Sequence, residues 1–136
     1  RNYQAGIRSH QIMNAMAATI NDEELADISS YFAKQPKMKG NTPTTNEKGK
    51  NLYLKGNISK MVIACVNCHG ANGKGLTPNT SMFPVLGGQH KGYLLKTLID
   101  FRMDDRANSA NAIMNRIVRS LSDADLEAIA EYLSGL

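Results

Sequence analysis

The two cysteines of the chain stand three residues apart, and a histidine follows the second directly: Cys65-Val66-Asn67-Cys68-His69. This C-x-x-C-H run is the signature of covalent haem attachment. Two thiols one helical turn apart can add to the two vinyl groups on one edge of a porphyrin, and the adjacent imidazole then projects to the iron. Five residues thereby supply two thioether anchors and one axial ligand. With only two cysteines, a disulfide-stapled scaffold and any four-cysteine zinc or iron–sulfur site within this chain are excluded. Three weaker uses of the pair remain. A thioredoxin-type redox pair wants a strand before it and a helix after it, whereas Gly-Ala-Asn-Gly-Lys-Gly follows here. A zinc site needs two more ligands, and besides acidic side chains only His10 and His90 are left. A structural disulfide across two intervening residues is rarer still.

The 136 residues, 42% hydrophobic and 21% charged, describe an ordinary globular chain of one domain or two very small ones. No apolar run approaches the ~18–20 residues of a membrane span. The net charge of +4 is spread out: −1 over residues 1–35, +2 over 36–46 and +3 over 47–136. No segment is strongly basic and no aromatics interleave with the cations, which argues against nucleic acid as a partner. The first residue is Arg and no charged leader with an apolar stretch precedes the first helix, so either a leader has been removed or the chain begins in mid-protein.

Residues 21–35 read as an amphipathic helix. Asn21 is its N-cap, Glu24 completes a capping box, Leu25, Ile28 and Phe32 recur at helical spacing, and Pro36 stops the run. Residues 122–134 repeat the design with Ser122, Asp125, Leu126, Ile129, Ala130 and Leu133 before Gly135. At a constant offset of 101, Arg1 falls on Arg102, Ile12-Met13-Asn14 on Ile113-Met114-Asn115, Asp22 on Asp123, Leu25 on Leu126, Ile28 on Ile129 and Tyr31 on Tyr132. That is eight identities in 35 positions without a gap, so the chain holds the end of one unit and the whole of a second. Between them, residues 36–46 are rich in Pro, Gly, Thr and Asn and read as a linker.

The second unit opens with a helix over 47–56, with Leu52 and Tyr53 on one side, and carries another over 93–103 with Leu94, Leu95, Leu98 and Phe101 on its apolar face. The glycine-rich stretch between them shows almost none of the alternation that marks strands. A domain this rich in loops needs something besides its own side chains at its centre. Seven methionines, at 13, 16, 38, 61, 82, 103 and 114, are candidates for the sixth position of a bound iron, and Met114 lies just before the last helix, where a loop can fold over the far side of a haem.

The order Gly-Lys-Asn-Leu-Tyr, Cys-Val-Asn-Cys-His-Gly, Phe-Pro-Val-Leu-Gly-Gly-Gln-His-Lys-Gly-Tyr-Leu, Ile-Asp-Phe-Arg-Met-Asp-Asp and the run from Ala112 to Leu133 resembles the class I c-type cytochromes, specifically the C-terminal half of the di-haem cytochrome c4 family. The likeness covers residues 47–136, and residues 1–35 resemble the closing third of that family's N-terminal half. It implies an all-α fold of helices packed around a covalently bound haem c, with Cys65 and Cys68 as thioether anchors and His69 and Met114 as axial ligands. Pro84 then offers its carbonyl to the His69 ring, and Gly49 and Tyr53 pack against the last helix near Tyr132. Met13 stands seven residues before Ile20 as Met114 stands seven before Leu121, so it resembles the axial methionine of a first haem domain. Its own C-x-x-C-H is expected about 49 residues upstream, while twelve residues precede it. We therefore expect a second haem in the complete protein, supplied by a missing N-terminal segment or by a domain swap.

The function so implied is electron transfer by a periplasmic carrier, free or membrane-associated, whose iron cycles between Fe(II) and Fe(III) as donor to a terminal oxidase or in exchange with a quinol-oxidising complex. The rival expectation is a haem subunit of a periplasmic oxidoreductase whose sixth iron site is open. His10 and His90 read as surface or hydrogen-bonding residues. Lys48, Lys50, Lys55 and Lys60 read either as a solvated helix face or as a ring that steers an acidic partner.

Overall fold

Short polar side chains at the right places start most of the helices. In the computed structural model, which describes residues 1–40, 42–43, 46–76 and 83–136, His10 caps α1 (Gln11–Ala18), Asn21 caps α2 (Asp22–Ala33), Asn46 caps α3 (Glu47–Lys55) and Ser122 caps the last helix. Both expected capping boxes form: Asn21 with Glu24, and Ser122 with Asp125. The remaining helices are α4 (Val66–His69), α5 (Lys91–Arg102), α6 (Ile113–Val118) and α7 (Asp123–Ser134). Among the described residues the only β pairing is an isolated bridge between Asn57 and Val62, and no helix is long and apolar enough to cross a membrane.

The core belongs to the second unit. α7 packs against both α3 and α5, and α6 packs against α5. Leu52, Tyr53, Leu94, Phe101, Leu121, Leu126, Ile129 and Leu133 meet there. The α3–α7 contact is close because Gly49 has no side chain: a Cβ at that position would lie 2.0 Å from the Ala128 carbonyl oxygen. One turn on, the Tyr53 and Tyr132 rings sit 5.7 Å apart.

The repeat seen in the sequence extends to hydrogen bonds. Arg1 pairs with Asp22 at 3.2 Å, and at the offset positions Arg102 pairs with Asp123. Asn14 donates to the Tyr3 and Arg8 carbonyls, and Asn115 donates to the Phe101 and Arg106 carbonyls. Yet α1 and α2 contain no buried residue, whereas seven residues of α7 are buried.

Residues 37–40 of the expected linker are not a free tether. Lys37 Nζ donates to the Lys74 carbonyl, Lys74 Nζ returns a bond to the Met38 carbonyl at 2.6 Å, and the Gly40 amide donates to the Leu136 carbonyl at 2.7 Å. These carbonyls, outside any helix, take their donors from segments distant in the chain, and composition alone does not reveal such pairings. Positions 41, 44 and 45 of the linker, and Met82, lie outside the described residues.

Candidate haem site

One turn of helix carries the motif. α4 is only four residues long, and the amides of Cys68 and His69 donate back to the Cys65 carbonyl. Gly70, at φ +73°, ends the turn. The segment behind it is pinned from two directions: the buried Tyr53 hydroxyl donates to the Gly70 carbonyl at 2.6 Å, and the Gly75 amide donates to the His69 carbonyl at 2.8 Å. The first helix of the unit thereby fixes the backbone from which His69 projects.

Both cysteines are free thiols and half-buried. Burial pushes the Cys65 thiol up to about 11. A catalytic redox pair needs the opposite, a thiol depressed towards neutrality, so this site lacks the electrostatics of a thioredoxin-type motif. His69 is 6% exposed, and its Nδ1 lies 3.0 Å from the Pro84 carbonyl oxygen. A carbonyl can only accept, so the proton sits on Nδ1 and the lone pair is left on Nε2. Burial lowers the His69 pKa, with the Pro84 bond opposing, so the ring is neutral at pH 7. The donor set fits haem c: two unpaired thiols on one turn, and a neutral imidazole whose second nitrogen is already engaged.

Met114 is half-buried and packs against the core that Cys65 and Val66 also touch. It stands in the first turn of α6 rather than in a loop, because Asn111 and Ala112 take positive φ values of 52° and 50° and turn the chain into the helix there. The Met114 amide donates to Ser109 Oγ. Its neighbour Asn115 is 2% exposed and ties this turn to α5 through its Nδ2, while its Oδ1 is a buried oxygen without a partner among the described residues. Asn115 was not singled out in the sequence, although its identity with Asn14 in the repeat was the available signal.

Met13 sits in α1 and is 41% exposed, beside a recess of about 350 Å³ that it lines with Arg8, Tyr93 and Arg106. Arg8 donates to the Tyr93 hydroxyl at 2.8 Å, linking the first unit to α5. No cysteine of this chain lies in the first unit. His10 is exposed and accepts from the Met13 amide as a helix cap, and His90 is exposed at the start of α5. Of the four lysines, Lys48 and Lys60 both pair with the buried Asp125, Lys50 pairs with Glu47, and Lys55 has no ion pair among the described residues. From the sequence Asp125 shows only its capping role, and its two lysine partners come from distant parts of the chain. Its burial raises the carboxyl pKa, but the two lysines and Ser122 override this and hold it well below the usual carboxylate range.

Helices packed about a C-x-x-C-H turn and a buried histidine, with no strand among the described residues, define a class of proteins, the c-type cytochromes. The family model described as cytochrome c matches residues 46–136, and the chain belongs to that family. Its place there is with the cytochromes c4. It is 39% identical over 130 residues to cytochrome c4 of Thiocapsa roseopersicina, covering 95% of this chain and 67% of that one. The crystal structure of reduced recombinant cytochrome c4 from Pseudomonas stutzeri superposes with a TM-score of 0.85 at 34% identity, covering 95% of this chain and 68% of that one. A thiosulfate dehydrogenase electron acceptor of Stutzerimonas stutzeri (strain A1501) is 32% identical, with 98% of this chain and 62% of that one covered. The chain spans 59–67% of the length of the curated cytochromes c4 it matches. Membership makes it an electron-transfer cytochrome with covalently bound haem c.

Proposed function

We propose that the chain carries electrons between periplasmic redox proteins, with Cys65 and Cys68 as the thioether anchors of a haem and His69 and Met114 as its axial ligands. The observation that carries this reading is the buried His69, with Nδ1 held by the Pro84 carbonyl and Nε2 left to bind. Bound there, haem c supplies reversible one-electron chemistry between Fe(II) and Fe(III). The chain's own residues keep that chemistry simple. Pro84 fixes the rotation of the imidazole and makes it a stronger donor. The Tyr53–Gly70 bond holds the turn rigid, so little has to reorganise when charge changes. Met114, packed against the same core as Cys65, would hold the iron together with His69, and its thioether would then keep outside molecules from the metal.

Residues 1–35 are, in this reading, the closing part of a first haem domain with Met13 as its axial methionine, and residues 36–46 join it to the domain of 47–136. The complete protein then carries two haems and donates to a terminal oxidase. The similarity to a thiosulfate dehydrogenase electron acceptor favours a second reading of the same carrier, in which its electrons come from a sulfur-compound dehydrogenase.

Carbon monoxide tests the ligand set. The reduced holoprotein is expected to show no change in its Soret spectrum under carbon monoxide at neutral pH, and Met114→Ala to bind it rapidly with a lowered reduction potential. Rapid binding to the unaltered protein overturns the carrier reading in favour of an oxidoreductase subunit with an open sixth site.

A further inference from the structure

The most exposed large apolar side chains of the described residues lie in one small, stiff loop. Ile58 is 94% exposed and Met61 89%. Loops that expose such groups without use are normally mobile, whereas the polar residues of this one are tied up in bonds that fix it. The Asn57 and Val62 backbones exchange bonds of 2.8 and 2.9 Å, and Asn57 Oδ1 accepts from the Lys60 amide and the Ser59 hydroxyl. Ser120 Oγ donates to the Lys60 carbonyl at 2.7 Å, and Lys60 Nζ reaches the buried Asp125. Met61 takes φ +55° without being glycine, a conformation that persists only where the surroundings hold it. Leu54 and Ile63, 40% and 49% exposed, flank the loop in sequence, and Cys65 follows Met61 by four residues.

We propose that this loop is the contact point for a redox protein partner that offers an apolar pocket for Ile58 and Met61 inside an acidic rim. It rests on the carrier reading above. The sign of the rim follows from the charge: Lys48, Lys50, Lys55 and Lys60 stand against Glu47 and Asp125, a surplus of two positive charges. The size of the tip sets the kind of complex. Two side chains form the centre of a small, transient interface such as electron-transfer encounters use. They carry about half the heavy atoms of a myristoyl chain, which by itself gives only marginal membrane binding, so a bilayer is the poorer occupant. Pre-organisation by the bridge and the Asp125 anchor removes the ordering cost that a flexible loop would face.

The test compares the holoprotein with an Ile58→Ser/Met61→Ser variant and with Lys55→Ala. Second-order rates of electron exchange are measured with solubilised terminal oxidase, with thiosulfate dehydrogenase, and with ferricyanide as a small-molecule control. We expect the double variant to keep its spectrum and ferricyanide rate, and to lose at least tenfold with one of the two proteins at both low and high salt. Lys55→Ala should lose about twofold, and only at low salt. Rates within twofold of the wild type for the double variant with both proteins overturn the docking loop. So does its selective loss of binding to phosphatidylglycerol vesicles, or of a concentration-dependent dimer, with the protein rates retained. A wild type that exchanges electrons with neither protein overturns the carrier reading itself, and the docking loop with it.

Discussion

α2 and α7 share a capping box, four identical residues at the same spacing and an arginine–aspartate pair reaching back to the preceding segment. Their burial differs almost completely. Ile28 is 42% exposed and Ile129 3%; Tyr31 is 62% exposed and Tyr132 8%; Phe32 is 67% exposed and its counterpart Leu133 2%. Caps and periodicity therefore determine that a helix forms and which stripe it presents. They do not determine whether that stripe is covered. α7 is covered because α3 brings Gly49 against the Ala128 carbonyl and α5 packs on it as well. Among the described residues no element packs on α2 in the way that α3 and α5 pack on α7.

The largest separation between the two helices should come from truncating the equivalent isoleucines in the 136-residue holoprotein. Ile129→Ala removes a fully packed side chain and should cost about 2–5 kcal/mol, while Ile28→Ala should stay within about 1 kcal/mol. Urea denaturation followed by circular dichroism reads both. Equal losses would mean that α2 is covered in solution as thoroughly as α7, by a second copy or a partner.

The features legible in the sequence were the local ones. The C-x-x-C-H turn, the caps at Asn21 and Ser122 and the offset repeat each depend on residues within one element or on identity between elements. The relation of Gly49 and Tyr53 to the last helix came through the family resemblance. The turn at Asn111 and Ala112 was not legible, because alanine disfavours positive φ, and so Met114 was expected in a loop. Nor was the helix α1, which is short and capped only by His10. The pinning of residues 37–40 and the Lys48–Asp125–Lys60 cluster join positions far apart in the chain, and nothing in their composition marks them as partners.

The third residues of the two capping boxes sharpen the contrast by a smaller amount. Asp125 is buried with Lys48 at 2.8 Å and Lys60 beside it, whereas Glu24 is exposed and only caps. Asp125→Asn leaves two half-exposed ammonium groups that can turn to water, so the loss should be about 2–3 kcal/mol, below that of a wholly buried pair. Glu24→Gln keeps an acceptor at the cap and should lose less than about 0.5 kcal/mol. The pH dependence separates them further. The folded Asp125 carboxyl lies below its unfolded value, so the unfolded chain takes up that proton first. Its stabilisation is complete above about pH 5 and fades as the pH falls towards the folded value. Thermal unfolding between pH 7 and 3 should show this slope in the wild type and in Glu24→Gln, and a flatter profile in Asp125→Asn.

The smallest expected difference concerns the repeated ion pair. Arg102 is 20% exposed at its side chain and bonds the Leu121 carbonyl at 2.9 Å as well as Asp123, so it also satisfies a carbonyl at the entrance to α7. Arg1 and Asp22 are both more than 70% exposed and share one contact at 3.2 Å. Arg102→Ala should cost about 1–2 kcal/mol and keep most of that cost in high salt, because a backbone bond and packing are lost with the charge. Arg1→Ala should change stability by nothing measurable, as exposed pairs gain little from attraction that solvent and salt screen. Chemical denaturation at two salt concentrations reads both. A salt-resistant loss at Arg1 would mean that its guanidinium is shielded in solution, which only a body packed over the start of the chain can do.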